Sequence, residues 1–242
     1  RNTDSLERAG EASDVAFVCV PTPMKRVDGS CDISIVESVL SQVDGVGKEV
    51  IVVIKSTIPP TTTEMFNKNF KNLTIVFNPE FLTEANAVQD FENQSKIILG
   101  GPRKGTTLLK QIYSLVFPTT PIIKTSSTHA EMVKYLTNTF LATKVSFANE
   151  IYQICDKLGL DYDKVIEYAT YDERLGKSHW AVPGPDGALG SGGHCFPKDL
   201  SALLKLTKML NTTNNVLTAT HQTNQSVRTD RDWESMEGRA IS

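Results

Sequence analysis

Five short segments in the first half of the chain have apolar, β-branched centres: DVAFVCV (14–20), EVIVVIKST (49–57), LTIVFNPEF (73–81), KIILGG (96–101) and PIIK (121–124). A strand with one face in water alternates apolar and polar residues. A run without that alternation needs cover on both faces. The segments between them, 34–43, 61–70, 83–91 and 103–116, have helical spacing and can supply it. Strands that alternate with helices in this way predict an α/β fold with a parallel sheet. Ser34-x-x-Glu37 has the form of a capping box at the start of the first of these helices.

After residue 125 the strand pattern stops. Thr128-x-x-Glu131 has the form of a second capping box, opening a helix of about thirty residues that Gly159 closes. A helix that long is well above the usual length in a globular protein and suits a link between domains or a dimer interface. Further helices are expected at 161–170, 197–210 and 213–227, with a loop rich in glycine and proline over 171–194. Two domains are therefore expected: an α/β domain over 1–125 and a helical domain over 126–242 with a long central helix.

Charge and cysteine content narrow the function classes. The net charge is −3 without a basic stripe, so no nucleic-acid partner is expected. No apolar run approaches the ~20 residues of a membrane span, so no membrane partner is expected. The opening RNTDSLERAGEASD is too polar for a signal peptide. The four cysteines form no CxxC pair and the four histidines are dispersed, so no metal site is expected and the reading is a reducing, cytoplasmic compartment. Cys19 and Cys155 read as packing residues.

The stretch GSGGHCFPKDL (190–200) is different. Pro197 suits the first position of a helix, which puts Cys195 at or just before a helix N-terminus. Unsatisfied N–H groups and the positive end of the helix dipole favour a thiolate there. Lys198 adds charge nearby. Gly192 and Gly193 leave room for another molecule to approach the backbone. From these residues alone, a reactive thiol and a flexible loop with an incidental thiol both remain open.

GGHCFPKDL resembles the catalytic-cysteine motif of the UDP-glucose 6-dehydrogenase family of nucleotide-sugar dehydrogenases. FVCVPTP (17–23) with DGSCDIS (28–34), VVIKSTIPPTT (52–62), FNPEFLTEANAVQDF (77–91), EMVKYLTNTFLATKVSFANEI (131–151) and DERLG (172–176) resemble further family blocks, in the family's order. The resemblance implies a Rossmann-like domain, incomplete here, followed by a helical dimerisation domain. It implies NAD as cofactor, a UDP-sugar as substrate and a homodimer. The reaction implied is a four-electron oxidation of a sugar C6 alcohol to a carboxylate, through a thiohemiacetal and a thioester on a cysteine. Cys195 takes that role. Lys134 and Asn138 match residues that stabilise charge on the C6 oxygen; Asp199, Glu80 and Thr57 match residues that handle water and protons. Phe81, Leu82, Glu84, Arg174 and Gly192, with Lys134 and Asn138, match substrate contacts. Arg174 matches an arginine that reaches a neighbouring subunit's site. Pro21, Thr22, Ser56, Thr57 and Glu84 match contacts on the nicotinamide side.

The loop VPGPDGALGSGG (182–193) departs from the commonest family form, and His194 also occurs before the cysteine in the related aminosugar enzymes. UDP-N-acetylmannosamine and GDP-mannose dehydrogenases are therefore the alternatives, alongside a non-catalytic dimerisation and sugar-nucleotide-binding remnant. Family members begin with a strand, a GxGxxG turn and a helix, and long members carry a second Rossmann-like domain that holds the UDP. By resemblance, residue 1 falls inside the first of these domains and the chain corresponds to a short form.

Overall fold

A computed structural model of the chain describes residues 5–83 and 86–242, which form two compact units. The first holds residues up to Thr22 together with Asp32–Lys134; the second holds Pro23–Cys31 with Tyr135–Ser242.

The first unit opens with a short helix, α1 (Leu6–Ala12), in a segment whose polarity gave no helical expectation. Ser5 caps it, accepting a hydrogen bond from the Arg8 N–H. The alternating pattern then follows: β1 (Val15–Val18), α2 (Ser34–Gly45), β2 (Val50–Ile54), α3 (Thr62–Asn69), β3 (Leu73–Phe77), α4 (Ala87–Glu92), β4 (Ile97–Gly100), α5 (Arg103–Val116) and β5 (Ile122–Thr125). The strands line up in sequence order, β1-β2-β3-β4-β5. The absence of alternation has the expected cause. Val52 and Ile54 face a core built with Val36 and Leu40 of α2 and Phe66 of α3. Their neighbour Val53 faces the opposite core, with Leu109 and Tyr113 of α5. Each such side chain, fully buried, contributes about 1.5–3 kcal/mol.

The sheet is not wholly parallel. β1, β2 and β3 run together, and β4 and β5 run together, but β3 and β4 are antiparallel. A parallel connection needs a crossover helix packed on the sheet. The element between β3 and β4 is α4, a short helix that has no fully buried residue and packs Phe91 only partly against the core. The chain thus turns back without crossing over.

Both capping boxes fail. Ser34 lies within α2, and its N–H donates to the Asp32 carboxylate two residues earlier. Thr128 lies inside α6 (Ser127–Leu158), where the Ser126 hydroxyl accepts the His129 N–H instead. Glu131 is fully buried and serves a different helix. It accepts the N–H groups of Thr61 and Thr63 and the Thr63 hydroxyl, at the N-terminus of α3.

The second unit contains most of α6, then α7 (Tyr162–Ala169), a 3-10 turn over Glu173–Leu175, α8 (Cys195–Met209) and α9 (Asn215–Val227). It also contains a small β arrangement. Met24 bridges Cys31 and also pairs with the tail at Ile241. The loop before α8 is held from several sides. The Asn224 side chain accepts the Ser191 N–H and donates to its carbonyl, the Asn149 side-chain oxygen accepts the Gly190 N–H, and the buried Arg228 donates to Asp186. Among the described residues, no helix is long and apolar enough to cross a membrane.

Candidate active site

In the first unit, β1, β2 and β3 are parallel, so their carboxyl ends lie along one edge of the sheet, the edge where open α/β sheets bind ligands. The segments leaving these strands carry Pro21 and Thr22, then Ser56 and Thr57, then Glu80, Phe81 and Leu82. The Ser56 hydroxyl donates to the Val20 carbonyl at 2.6 Å, tying the first two segments together. Thr22 and Thr57 are buried. Glu80 is fixed twice: one carboxylate oxygen accepts the Leu82 N–H at 2.7 Å, and the other accepts from the Lys134 ammonium at 2.8 Å. Lys134 is buried, and its ammonium also donates to the Glu80 carbonyl and lies 5.5 Å from the centre of the Phe81 ring. A buried ammonium needs such partners to keep its charge. Glu84 lies outside the described residues.

Lys55 is part of this edge, although the sequence reading passed over it. Its ammonium donates to the carbonyl and the side-chain oxygen of Asn78. Burial holds its pKa below the ordinary lysine value, opposed by Cys19 and Glu80 and reinforced by Lys134. Asn78 also accepts the Tyr113 hydroxyl and donates to the Ile98 carbonyl, joining β3, β4 and α5. Cys19 is exposed, which corrects its reading as a packing residue; its apolar neighbours belong to β1, which among the described residues pairs with β2 alone. Cys155 is buried with Tyr162 and Val182, as expected.

In the second unit, Cys195 is the first residue of α8, and Pro197 is the third rather than the first. Pro197 is tolerated there because the first turn leaves its N–H groups without helical partners in any case. Behind the cysteine is a buried polar line. The Lys198 ammonium donates to one Asp199 oxygen at 2.6 Å, and the other Asp199 oxygen accepts from the Asn138 amide at 2.6 Å. All three residues are buried. Burial alone would lower the Lys198 pKa, but Asp199, together with the Cys31 and Cys195 thiols, holds it above the ordinary value. Lys198 is therefore a fixed cation near the thiol. Asn138 stands one turn after Lys134 on α6, so both occupy one face of that helix.

One expectation changes here. Gly192 does not open the backbone to an outside molecule. A Cβ at that position would lie 2.1 Å from a guanidinium nitrogen of Arg228, so the missing side chain makes room for the chain's own arginine. Arg174 is exposed and folds back on Asp172 through its Nε, 2.9 Å from one carboxylate oxygen. A cavity of about 380 Å³ lined by Pro197, Leu200 and Ser201 of α8, with Lys25, His221 and Trp233, contains none of the expected site residues.

The sequence matches the UDP-glucose/GDP-mannose dehydrogenase family in two parts: its NAD binding domain over residues 1–117 and its central domain over 128–226. The chain belongs to this family. Its curated relatives include the UDP-glucose 6-dehydrogenase TuaD of Bacillus subtilis, 32% identical over 93% of this chain and 49% of the relative. Another is the UDP-glucose 6-dehydrogenase of Rhizobium meliloti, 35% identical over 84% of this chain and 48% of that protein. Among solved structures, a UDP-glucose dehydrogenase from Pyrobaculum islandicum superposes with a TM-score of 0.81 at 32% identity, over 93% of this chain and 53% of that one. A UDP-D-ManNAc dehydrogenase from Pyrococcus horikoshii gives 0.79 at 28% identity, over 93% of this chain and 53% of that one. The chain thus spans about half the length of the curated relatives it matches.

Proposed function

We propose that this chain carries the chemistry of an NAD-dependent UDP-glucose 6-dehydrogenase, oxidising UDP-glucose to UDP-glucuronate. The observation that carries this reading is Cys195 at the opening of α8, with the Lys198–Asp199–Asn138 line behind it, in a chain of this family. Pro21, Thr22, Ser56 and Thr57 stand at the carboxyl ends of parallel strands, and their small side chains and hydroxyls fit the nicotinamide end of NAD. When bound, NAD supplies the acceptor for hydride.

The remaining steps use the chain's own residues. As the C6 alcohol gives its proton to a water molecule and loses a hydride, negative charge gathers on the oxygen; Lys134 and Asn138 are the donors that hold it. The Cys195 thiolate then adds to the aldehyde carbon. A C–S bond forms, the carbonyl electron pair moves to oxygen, and that oxygen takes a proton to give the thiohemiacetal. Loss of the hydroxyl proton and a second hydride leaves the thioester. Water, positioned by Asp199 and Thr57, attacks the thioester carbon and gives a proton to Glu80. The C–S bond breaks, the sulfur departs as thiolate, and the acid so formed gives its remaining proton to solvent and is released as carboxylate. Phe81, Leu82 and Glu84 belong to the substrate side of this reading.

The acting form proposed is a homodimer. Leu136, Phe140, Phe147, Ile154 and Leu158 are exposed at helical spacing along α6 and suit a second copy of the same helix. Arg174, held on the surface by Asp172, is the residue assigned to the partner's substrate.

Turnover of UDP-glucose with excess NAD⁺ tests the reading. The parent chain should form NADH and UDP-glucuronate in the ratio that the four-electron oxidation requires. Cys195→Ser should still release some NADH while UDP-glucuronate formation falls roughly a hundredfold or more. UDP-glucuronate at the parent rate from Cys195→Ser would overturn the nucleophile. The likeness to the UDP-D-ManNAc dehydrogenase makes UDP-N-acetylmannosamine the rival substrate, and faster turnover of it would replace UDP-glucose in this reading.

A further inference from the structure

The antiparallel turn of β4 brings its N-terminal end to the edge where β1, β2 and β3 finish. The one paired position is Phe77 with Gly100, and continuing that antiparallel register outward sets Phe81 opposite Lys96. The geometry agrees: the Lys96 ammonium lies 5.0 Å from the centre of the Phe81 ring. Phe81 is thus shared by two lysines, since the Lys134 ammonium lies 5.5 Å from the same ring. Their situations differ. Lys134 is neutralised by the Glu80 carboxylate. Lys96 is half-buried, and among the described residues its ammonium has an aromatic face and no carboxylate. An aromatic face attracts a cation and fixes its place, yet leaves its N–H groups able to donate to an anion.

We infer that Lys96 is a ligand-binding residue of this edge and donates to a phosphate oxygen of the bound nucleotide. This rests on the proposed function, which brings two diphosphates to the protein, one in the nucleotide sugar and one in the dinucleotide. The chemistry recognised is the same for both. Phe81 holds the Lys96 ammonium on the ring that the Lys134 ammonium also faces, so the nucleotide is anchored next to residues assigned to the reaction. A charge-assisted hydrogen bond of this kind changes affinity by about tenfold to a hundredfold.

Calorimetric titration of the 242-residue chain with UDP-glucose, NAD⁺ and inorganic pyrophosphate tests this, using the parent, Lys96→Met and Lys96→Arg. Lys96→Met should weaken one nucleotide about tenfold or more, and the nucleotide affected identifies the source of the phosphate. Lys96→Arg should restore most of the loss, and added salt should narrow the gap between parent and methionine variant. Both nucleotides bound by Lys96→Met within about twofold of the parent would overturn the assignment. A parent chain that binds neither nucleotide counts against the proposed function. The Lys96 assignment then stands only if pyrophosphate binds the parent and is weakened in Lys96→Met, and it falls if pyrophosphate does not bind.

Discussion

At the scale of single residues, Glu131 shows how far a side chain's role can lie from its local motif. Three residues after Thr128 it has the spacing of a helix cap, and it does cap a helix, but that helix is α3, more than sixty residues earlier in the chain. Burial raises its pKa above the ordinary 4.5, and the hydrogen bonds from Thr63 and Thr61 only partly oppose this. The sign follows. Between the ordinary value and the raised one, the folded chain holds a proton that the unfolded chain has lost. Stability therefore falls as pH rises through that window. Glu131→Gln should remove this slope. It should also destabilise the fold by about 1–3 kcal/mol, because an amide offers one acceptor oxygen where the carboxylate offers two. Urea melts from about pH 4 to pH 7 measure both. A slope unchanged in the variant would show that another group produces it.

At the scale of elements, strands and helices were legible wherever burial acts on a whole segment. The α5 boundaries match the sequence reading at both ends, because its apolar spacing and the strands on either side define it. Four of the five strands are shorter than their apolar runs; the run 73–81, for example, forms a strand over Leu73–Phe77. Its remaining residues, Asn78 to Phe81, continue past the strand into the edge proposed to hold the ligand. α5 also lies very close to β3. A Cβ on Gly105 would sit 2.6 Å from the Val76 side chain and 3.1 Å from Thr74. Gly105→Ala should therefore destabilise the chain by about 1–3 kcal/mol through overpacking, despite a gain of about 1 kcal/mol in helix propensity. A thermal melt decides between them, and a raised midpoint would mean that α5 can shift away from the sheet.

At the scale of the whole molecule, the exposed stripe on α6 makes the clearest demand. Five large apolar side chains along one helix are more than a monomer ordinarily leaves in water as a continuous patch. The proposed homodimer predicts that Phe140→Glu gives a monomer in sedimentation at micromolar concentration while the helical circular dichroism is kept. Phe140 is chosen because it is exposed, so its loss leaves the core of its own unit intact. A variant that sediments as the parent does would remove this stripe from the interface.

The sequence by itself determined the layered α/β first unit, the long helix α6, the start of α8 near Cys195 and the family. Each rests on information local to the chain: apolar period, turn residues and short ordered motifs. Only the tertiary structure decided the direction of β4, the helix that Glu131 caps and the lysine that stands across from Phe81. It also decided that Arg228 occupies the space beside Gly192. These are pairings between residues far apart in the chain. The same carboxylate, glycine or lysine satisfies local rules in several arrangements, and the arrangement adopted is the one that gives buried charges their hydrogen-bond partners while the apolar faces close.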